Sequence, residues 1–181
     1  RGAQVTLVHG PVALAAPPGV LALPVSTAAE MAGAVRSRFA EADAVIMVAA
    51  VADYRPATVL QGKRSKTPGS WEVTLERTED ILASLGRERQ GQVLVGFAAE
   101  TGEVQERARQ KLLAKGLDLI VANDVSRNDA GFGAERNAGL LLAADGVVEE
   151  LPLMAKREMA SRLLDHVARL LRERQEVRGP G

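Results

Sequence analysis

A run of small residues and a carboxylate comes directly after an apolar segment of the chain. The apolar segment, Ala44–Val48, predicts a buried strand, and Ala49, Ala50 and Asp53 follow it. In an open α/β sheet, ligands bind at the carboxyl ends of the strands, where small side chains let them approach main-chain amides. Asp53 can bind a metal ion or a ribose hydroxyl, or it can close a turn by bonding its own backbone. Its place after a buried strand favours a ligand-binding turn.

Basic side chains that could meet phosphates occur at two further places. Lys63 lies with Arg64 and Lys66 in a polar segment, which is either a solvated basic loop or a flap that closes over an anion. Lys111 and Lys115 are four residues apart in a predicted helix, so they share one of its faces. Such pairs are usually surface charge, but the next predicted strand follows at once and can turn this face toward a cleft.

Four other side chains lie at or near predicted strand ends and have two interpretations each. Phe97 either packs in the core, which is the more common case, or forms a wall of a nucleotide pocket. Glu100 is either a ligand or an acidic residue at a helix start. Asn123 and Asp124 either form a turn or line a cleft. The sequence leaves these alternatives open.

Composition excludes several classes of function. The 181 residues carry no net charge and only one Trp, one Tyr and three Phe, which argues against nucleic acid as a partner. No Cys is present, so thiolate metal sites and a Cys nucleophile are excluded. His9 and His166 lack metal-ligand spacing, and neither a Walker-type phosphate loop nor a Gly-x-Gly-x-x-Gly turn occurs. Without a signal peptide or a bilayer-spanning apolar run, we predict a cytoplasmic protein with no membrane partner.

Strands and helices are predicted to alternate over the first two thirds of the chain, before a hairpin. Thr27–Glu30 has the pattern of a capping box, and Asp145-Gly146 is a strong hairpin signal. This order predicts a mainly parallel, helix-flanked sheet with an antiparallel hairpin as an appendage. The predicted strands are Val5–His9, Val20–Val25, Ala44–Val48, residues 71–76, Val93–Ala98, Leu117–Ala122, Leu140–Leu142 and Val147–Leu151. Three helices are predicted at residues 28–40, Thr101–Lys115 and Lys156–Arg174. A fourth helix is predicted after Thr78, which caps it, with Glu79 and Asp80 in its first turn.

Seven short motifs follow one another along nearly the whole chain. They are Gly2–Val12, Val25–Met31, Ala49–Pro56, Val95–Thr101, Ala108–Leu112, Ile120–Val125, and Gly131-Phe132 together with Asn137. In this order they resemble phosphopantothenate–cysteine ligase, also called phosphopantothenoylcysteine synthetase, which in many bacteria is the carboxy-terminal half of a bifunctional coenzyme A biosynthesis protein. Each motif alone is weak, and their number and order carry the resemblance.

The resemblance implies a Rossmann-like fold, usually a homodimer, with one ligase domain over residues 1–178 and a flexible tail at residues 179–181. It implies that the protein binds CTP with Mg²⁺, 4'-phosphopantothenate and cysteine. In such an enzyme the carboxylate of 4'-phosphopantothenate attacks the α-phosphate of CTP and pyrophosphate leaves. The cysteine amine then attacks the acyl-cytidylate, and CMP departs. The side chains do not distinguish CTP from ATP, since contacts to a base often come from main-chain groups.

The resemblance also assigns roles to residues that match the family motifs. Lys63 is implied as the catalytic lysine near the reacting phosphates, and Asp53 with the main chain of Ala49 and Ala50 as part of the CTP site. The family commonly has Pro at the position of Glu79, which changes the expected turn there. The further implied nucleotide contacts are Glu79, Asp80, Ile81, Leu82, Phe97, Lys111 and Lys115.

Some parts of the family pattern are not expected within the 181 residues. These are an upstream strand with its helix, a turn with an Asn that handles the acyl-nucleotide, and the FMN-dependent decarboxylase half. The resemblance therefore does not assure activity of these 181 residues on their own. Two other hypotheses stay open: a nicotinamide-dependent oxidoreductase, whose glycine turn would lie upstream, and a non-catalytic module that only dimerises.

Overall fold

The computed structural model of the protein describes residues 1–63, 65, 69–124 and 135–178. Within these ranges the predicted α/β fold is confirmed, with parallel strands, flanking helices and an antiparallel hairpin. The Gly131-Phe132 motif, the basic residues Arg64 and Lys66, and the tail at residues 179–181 lie outside the described residues.

Nine strands and four helices are described. The strands are β1 (Thr6–His9), β2 (Leu21–Pro24), β3 (Ala44–Met47), β4 (Tyr54–Pro56), β5 (Leu75–Arg77), β6 (Val93–Glu100), β7 (Leu119–Asp124), β8 (Arg136–Ala143) and β9 (Val148–Ala155), and the helices are α1 (Ala28–Phe39), α2 (Ile81–Glu88), α3 (Val104–Ala114) and α4 (Lys156–Arg178). None of the described helices is both long enough and apolar enough to cross a membrane.

The chain divides into two compact units. Unit 1 contains Arg1–Ser37 and Ala49–Ile81, and unit 2 contains Arg38–Val48 and Leu82–Gly181. Each unit therefore takes its residues from two separate stretches of sequence, and the chain passes from unit 2 to unit 1 directly after β3.

Unit 2 is built on a five-stranded sheet with the strand order β3-β6-β7-β8-β9. Strands β3, β6 and β7 are parallel, and β8 and β9 add to β7 in antiparallel pairs. The hairpin turn lies at the predicted Asp145-Gly146, where Gly146 has a φ of +93° and the Val147 N–H donates to Asp145 Oδ1 at 3.1 Å. The hairpin thus continues the main sheet beyond its parallel strands.

The hydrophobic core of unit 2 lies between one face of this sheet and α4. Val93 and Val95 of β6 are fully buried there, in a cluster that includes Met159, Leu163 and Val167 of α4. Burying each such side chain contributes about 1.5–3 kcal/mol. Because successive side chains of a strand point to opposite faces, the alternate residues of β6 face α3 instead.

Helix α3 ends in a Schellman motif. Gly116 has a φ of +62°, which a residue without a Cβ adopts at little cost. The Gly116 N–H donates to Leu113 O at 3.2 Å, and the Leu117 N–H donates to Leu112 O at 2.9 Å. These bonds satisfy two of the last carbonyls of the helix and turn the chain sharply into β7.

A glycine of α2 lies against this helix end. A Cβ placed on Gly86 would be 2.0 Å from the Lys115 carbonyl oxygen, which is far closer than atoms can approach. The obstacle is main chain, so no side-chain rotation can relieve it. Gly86 therefore permits the close contact that fixes the position of the carboxyl end of α3.

Unit 1 contains two small sheets and most of α1. Strands β1 and β2 pair in parallel, and β4 and β5 pair in antiparallel. The capping box is confirmed, since the Thr27 hydroxyl accepts from the Glu30 N–H at 3.1 Å and a Glu30 carboxylate oxygen accepts from the Thr27 N–H at 3.3 Å. The strand predicted at residues 71–76 is largely wrong, because β5 begins only at Leu75. Its partner, β4, is also three residues long, and the Ala57 N–H donates to Thr74 O at 3.0 Å just beyond the two strands.

Ion pairs connect α4 to the hairpin. His166 Nε2 lies 2.7 Å from one Glu149 carboxylate oxygen, and Arg162 lies 3.3 Å from the other. The hydrogen bond with His166 is the main cause that lowers the pKa of Glu149 below its ordinary 4.5, and Arg162 lowers it further. The Val147 N–H, followed by Arg169, lowers the pKa of Asp145 in the turn.

The lowered pKa of Glu149 predicts a specific loss of stability in acid. A lowered folded-state pKa adds stability that is complete above the unfolded-state pKa and disappears as the pH falls through the folded value. We expect Glu149→Gln to lower the melting temperature at about pH 6 and to lower it less at about pH 3, because part of this stability is already lost below the unfolded-state pKa. Thermal unfolding at both pH values measures this. The matched control is Glu150→Gln, which changes the exposed neighbouring residue. If Glu149→Gln lowered the melting temperature equally at both pH values, the prediction would be contradicted.

Candidate functional site

The turn after β3 is exposed, as its predicted role in ligand binding requires. Ala49, Ala50 and Asp53 are all solvent-exposed. The main chain of this turn is fixed, because the Thr78 N–H donates to Asp53 O at 2.9 Å and the Thr78 hydroxyl donates to Ala52 O. Within the described part of the chain, the Asp53 carboxylate has no hydrogen bond or ion pair. It therefore does not close the turn on itself there, and it is available to a ligand.

The segment from Glu79 to Leu82 offers a ligand mostly main-chain groups. Helix α2 begins at Ile81, so the prediction that Glu79 and Asp80 lie in its first turn is wrong. Thr78 is held by the turn after β3, which keeps the chain out of the helix at this point. Glu79 pairs with Arg36. Ile81 and Leu82 are buried, so only their backbone could contact a nucleotide.

Lys63 is exposed, as a lysine of a mobile or closing loop would be. It makes no hydrogen bond or ion pair with any residue that the structure describes. Its side chain therefore has no evident role in holding unit 1 together, and its role near the reacting phosphates stays a prediction.

Helix α3 and the end of β6 form a polar groove in unit 2. Its volume is about 460 Å³, and it is largely open to solvent. Lys111 and Lys115 both line this groove, so they share a face of α3, and their contact with a nucleotide stays a prediction. The lining residues are Glu100, Arg107, Gln110, Lys111, Ala114 and Lys115.

A buried carboxylate lies beside the groove lysines. The Glu100 side chain is only 6% exposed, and its Oε1 lies 2.5 Å from Lys111 Nζ. That oxygen accepts no hydrogen bond of ordinary geometry from the described residues, so the contact is an ion pair. Of the two interpretations of Glu100, a helix-start acid is ruled out, since α3 begins only at Val104.

Arg107 is a groove residue that was not predicted from the sequence. It precedes Lys111 by one helical turn, just as Lys111 precedes Lys115. The same four-residue spacing that singled out the two lysines would have included it. The groove is lined by three cationic side chains and one carboxylate, and it is suited to an anionic ligand.

Phe97 does not line the groove. Its ring is partly buried and packs against the core cluster on the α4 side of the sheet, as the core interpretation predicts. A nucleotide contact of Phe97 stays a prediction. Near the end of β7, the Asn123 Oδ1 atom is buried and has no hydrogen-bond partner in the described ranges, so the structure gives it no turn-forming bond.

The predicted residues thus form two separate sets. In unit 1, the turn with Ala49, Ala50 and Asp53 is joined through Thr78 to the start of α2. In unit 2, Lys111 and Lys115 share the groove with Glu100 and Arg107. Neither the described part of unit 1 nor that of unit 2 contains three or more His, Asp or Glu side chains grouped to hold a metal ion. Mg²⁺ that is bound to nucleotide phosphates needs only one or two protein carboxylates, and Asp53 fits that requirement.

Comparison with known proteins gives concordant results. Residues 1–171 match the family model described as "DNA/pantothenate metabolism flavoprotein C-terminal domain". The chain is 47% identical over 176 residues to the coenzyme A biosynthesis bifunctional protein CoaBC of Bacillus subtilis, and 45% identical over 172 residues to CoaBC of Escherichia coli K12. These alignments cover 97% and 92% of this chain but only 43% and 42% of the two relatives.

Solved structures show the same likeness. The crystal structure of the C-terminal domain of CoaBC matches with a TM-score of 0.80 and 40% identity, over 95% of this chain and 76% of that one. A mutant of Cab2 in complex with phosphopantothenate-cysteine matches with a TM-score of 0.65 and 16% identity, over 86% of this chain and 55% of that one. At that identity the second match is evidence for a shared fold alone.

Proposed function

Because this chain belongs to the DNA/pantothenate metabolism flavoprotein C-terminal domain family, we propose that it ligates 4'-phosphopantothenate to cysteine in coenzyme A biosynthesis, with CTP as the activating nucleotide. The two relatives that are 47% and 45% identical to it over the aligned residues are bifunctional proteins of coenzyme A biosynthesis. The Cab2 neighbour in fold binds phosphopantothenate-cysteine, the product that such a ligation would release.

The proposed reaction makes a poor electrophile reactive. A carboxylate oxygen of 4'-phosphopantothenate forms a bond to the α-phosphorus of CTP, and the bond from that phosphorus to pyrophosphate breaks. The cysteine amine then attacks the acyl carbon, loses a proton, and displaces CMP from the acyl-cytidylate. Negative charge gathers on the phosphate oxygens in the first step, so preorganised cations and amide donors accelerate it.

The observation that carries the proposal is the cationic groove of α3. Arg107, Lys111 and Lys115 succeed one another at one-turn intervals and line one groove that is open to solvent. At a rise of about 1.5 Å per residue they extend over roughly 12 Å, which is long enough to follow a triphosphate. The groove thus offers charge and length suited to the nucleotide rather than to a neutral substrate.

The remaining roles in the proposal belong to the exposed residues of unit 1. The main-chain amides at Ala49 and Ala50 bind the nucleotide, and Asp53 lies beside it. Lys63 donates to the reacting phosphates and stabilises the charge that develops on them. Mg²⁺, when bound, neutralises part of the charge of the triphosphate. We also propose, from the family resemblance, that the protein acts as a homodimer in the cytoplasm.

The test is a stepwise assay of the full-length gene product. We expect CTP, Mg²⁺ and 4'-phosphopantothenate to release pyrophosphate in a single turnover without cysteine, and CMP to appear only when cysteine is added. ATP and NADH serve as control ligands in parallel titrations, since the first tests the base and the second tests the oxidoreductase hypothesis. Release of pyrophosphate that does not require 4'-phosphopantothenate, or no release at all, would contradict the proposal.

A further inference from the structure

Glu100 is buried in a place where a carboxylate needs compensation. It is the last residue of β6, on the sheet face that carries α3, and its side chain is only 6% exposed. Burial of an ionised carboxylate is unfavourable unless a cation accompanies it. Lys111 is that cation, with its Nζ 2.5 Å from Glu100 Oε1, and the described part of the chain supplies no other basic partner.

Lys111 is fixed at its backbone and paired at its tip. Ala108 and Leu112, on either side of it in α3, are buried against the sheet. The side chain itself is 47% exposed, and the ammonium group carries three hydrogens on a flexible stem. The ion pair with Glu100 leaves hydrogens of the ammonium group for a ligand in the groove.

We propose that Glu100 is a positioning residue: it holds the Lys111 ammonium where that group meets the phosphates of the bound nucleotide. This inference rests on the proposed function, since it takes a nucleotide as the ligand of the groove. Lys111 stays paired with Glu100 when the nucleotide binds, and donates its remaining hydrogens to phosphate oxygens. Glu100 itself touches no substrate.

The proposal predicts a change in affinity opposite to that expected from net charge. A carboxylate beside a phosphate site repels the ligand, so its neutralisation would by simple electrostatics tighten binding. If Glu100 positions Lys111, neutralisation of Glu100 instead releases the Lys111 ammonium group into solvent, and the charged hydrogen bonds from Lys111 to phosphate are lost. We expect Glu100→Gln to raise the Kd for CTP about tenfold, although it makes the groove more positive.

A double-mutant cycle tests whether Glu100 acts through Lys111. Calorimetric titration with CTP and Mg²⁺ compares the full-length wild type, Glu100→Gln, Lys111→Met and the double variant. We expect Glu100→Gln to weaken binding in the wild-type background and to have no weakening effect when Lys111 is absent. Tighter binding by Glu100→Gln, or equal weakening in both backgrounds, would overturn the proposal.

Two further variants separate positioning from charge and from folding. Glu100→Asp keeps the charge but withdraws it from Lys111 by one methylene, so we expect it to weaken binding as Glu100→Gln does; unchanged affinity would count against positioning. Glu106→Gln removes an exposed carboxylate of the same helix that does not line the groove, and should change the Kd less than twofold. If the wild type binds no CTP, the proposed function fails and the inference with it, whereas normal wild-type binding with tighter Glu100→Gln overturns the inference alone.

Discussion

Replacement of Lys63 by Ala will lower the turnover of the proposed CTP-dependent ligation by about 10²–10³-fold, which is the usual cost of removing one group that stabilises transition-state charge. The melting temperature will stay within about 1 °C of the wild type, because substitutions of exposed residues without partners change stability little. Lys63 is such a residue within the described chain. The measurement is kcat in the full-length gene product, paired with thermal unfolding of the same preparations.

Lys156→Ala is the matched control for this prediction. Lys156 is an exposed lysine at the start of α4 and has no place in the proposed site. It should leave kcat unchanged within twofold. A drop in melting temperature for Lys63→Ala that parallels its loss of activity would indicate a structural residue, and unchanged kcat would remove Lys63 from the proposed mechanism.

The second large effect is structural. Gly86→Ala places a methyl group 2.0 Å from the main-chain oxygen of Lys115, and main chain must move to admit it. Overpacking of this kind lowers the free energy of unfolding by about 3 kcal/mol. The higher helix propensity of alanine offsets up to about 1 kcal/mol of this loss. We expect the melting temperature to fall by roughly 4–8 °C. Because the displaced atoms belong to Lys115, the Kd for CTP should also rise. The melting temperature and this Kd are both measured on Gly86→Ala.

Gly33→Ala is a control of opposite sign. Gly33 lies inside α1, and a Cβ there would meet no atom within 4 Å. The same chemical change should therefore raise the melting temperature by about 2–4 °C through helix propensity alone. If both glycine variants shift stability in the same direction, the close contact of Gly86 does not have the effect that its geometry implies.

Elements with local signals were predicted well from the sequence. The capping box at Thr27–Glu30 and the turn at Asp145-Gly146 depend on residues close in sequence, and both are present with the expected hydrogen bonds. Helix α3 was predicted from Thr101 but begins at Val104. The cause is local but hard to foresee, because Gly102 and Glu103 have φ values of +63° and +43°, which no helical residue adopts.

What the sequence could not predict depends on long-range contacts. The alternation at residues 71–76 is real, yet the paired strand begins only at Leu75, and its partner β4 lies some twenty residues earlier in the sequence. The shared face of Lys111 and Lys115 followed from spacing alone, whereas the partner of Lys111 did not. Glu100 lies eleven residues away on another element, and only the packing of α3 on β6 brings the two charges together.

The contact of Gly86 with the end of α3 also bears on how genetic data for this protein should be interpreted. In a saturation mutagenesis experiment scored by growth without supplied coenzyme A precursors, position 86 will tolerate as few replacements as the lysines of the groove. A scan of that kind would class it as a ligand-contacting position. Its intolerance instead reflects how closely two helices approach each other. Protein abundance should therefore be measured in parallel before a ligand site is inferred from the results of the scan.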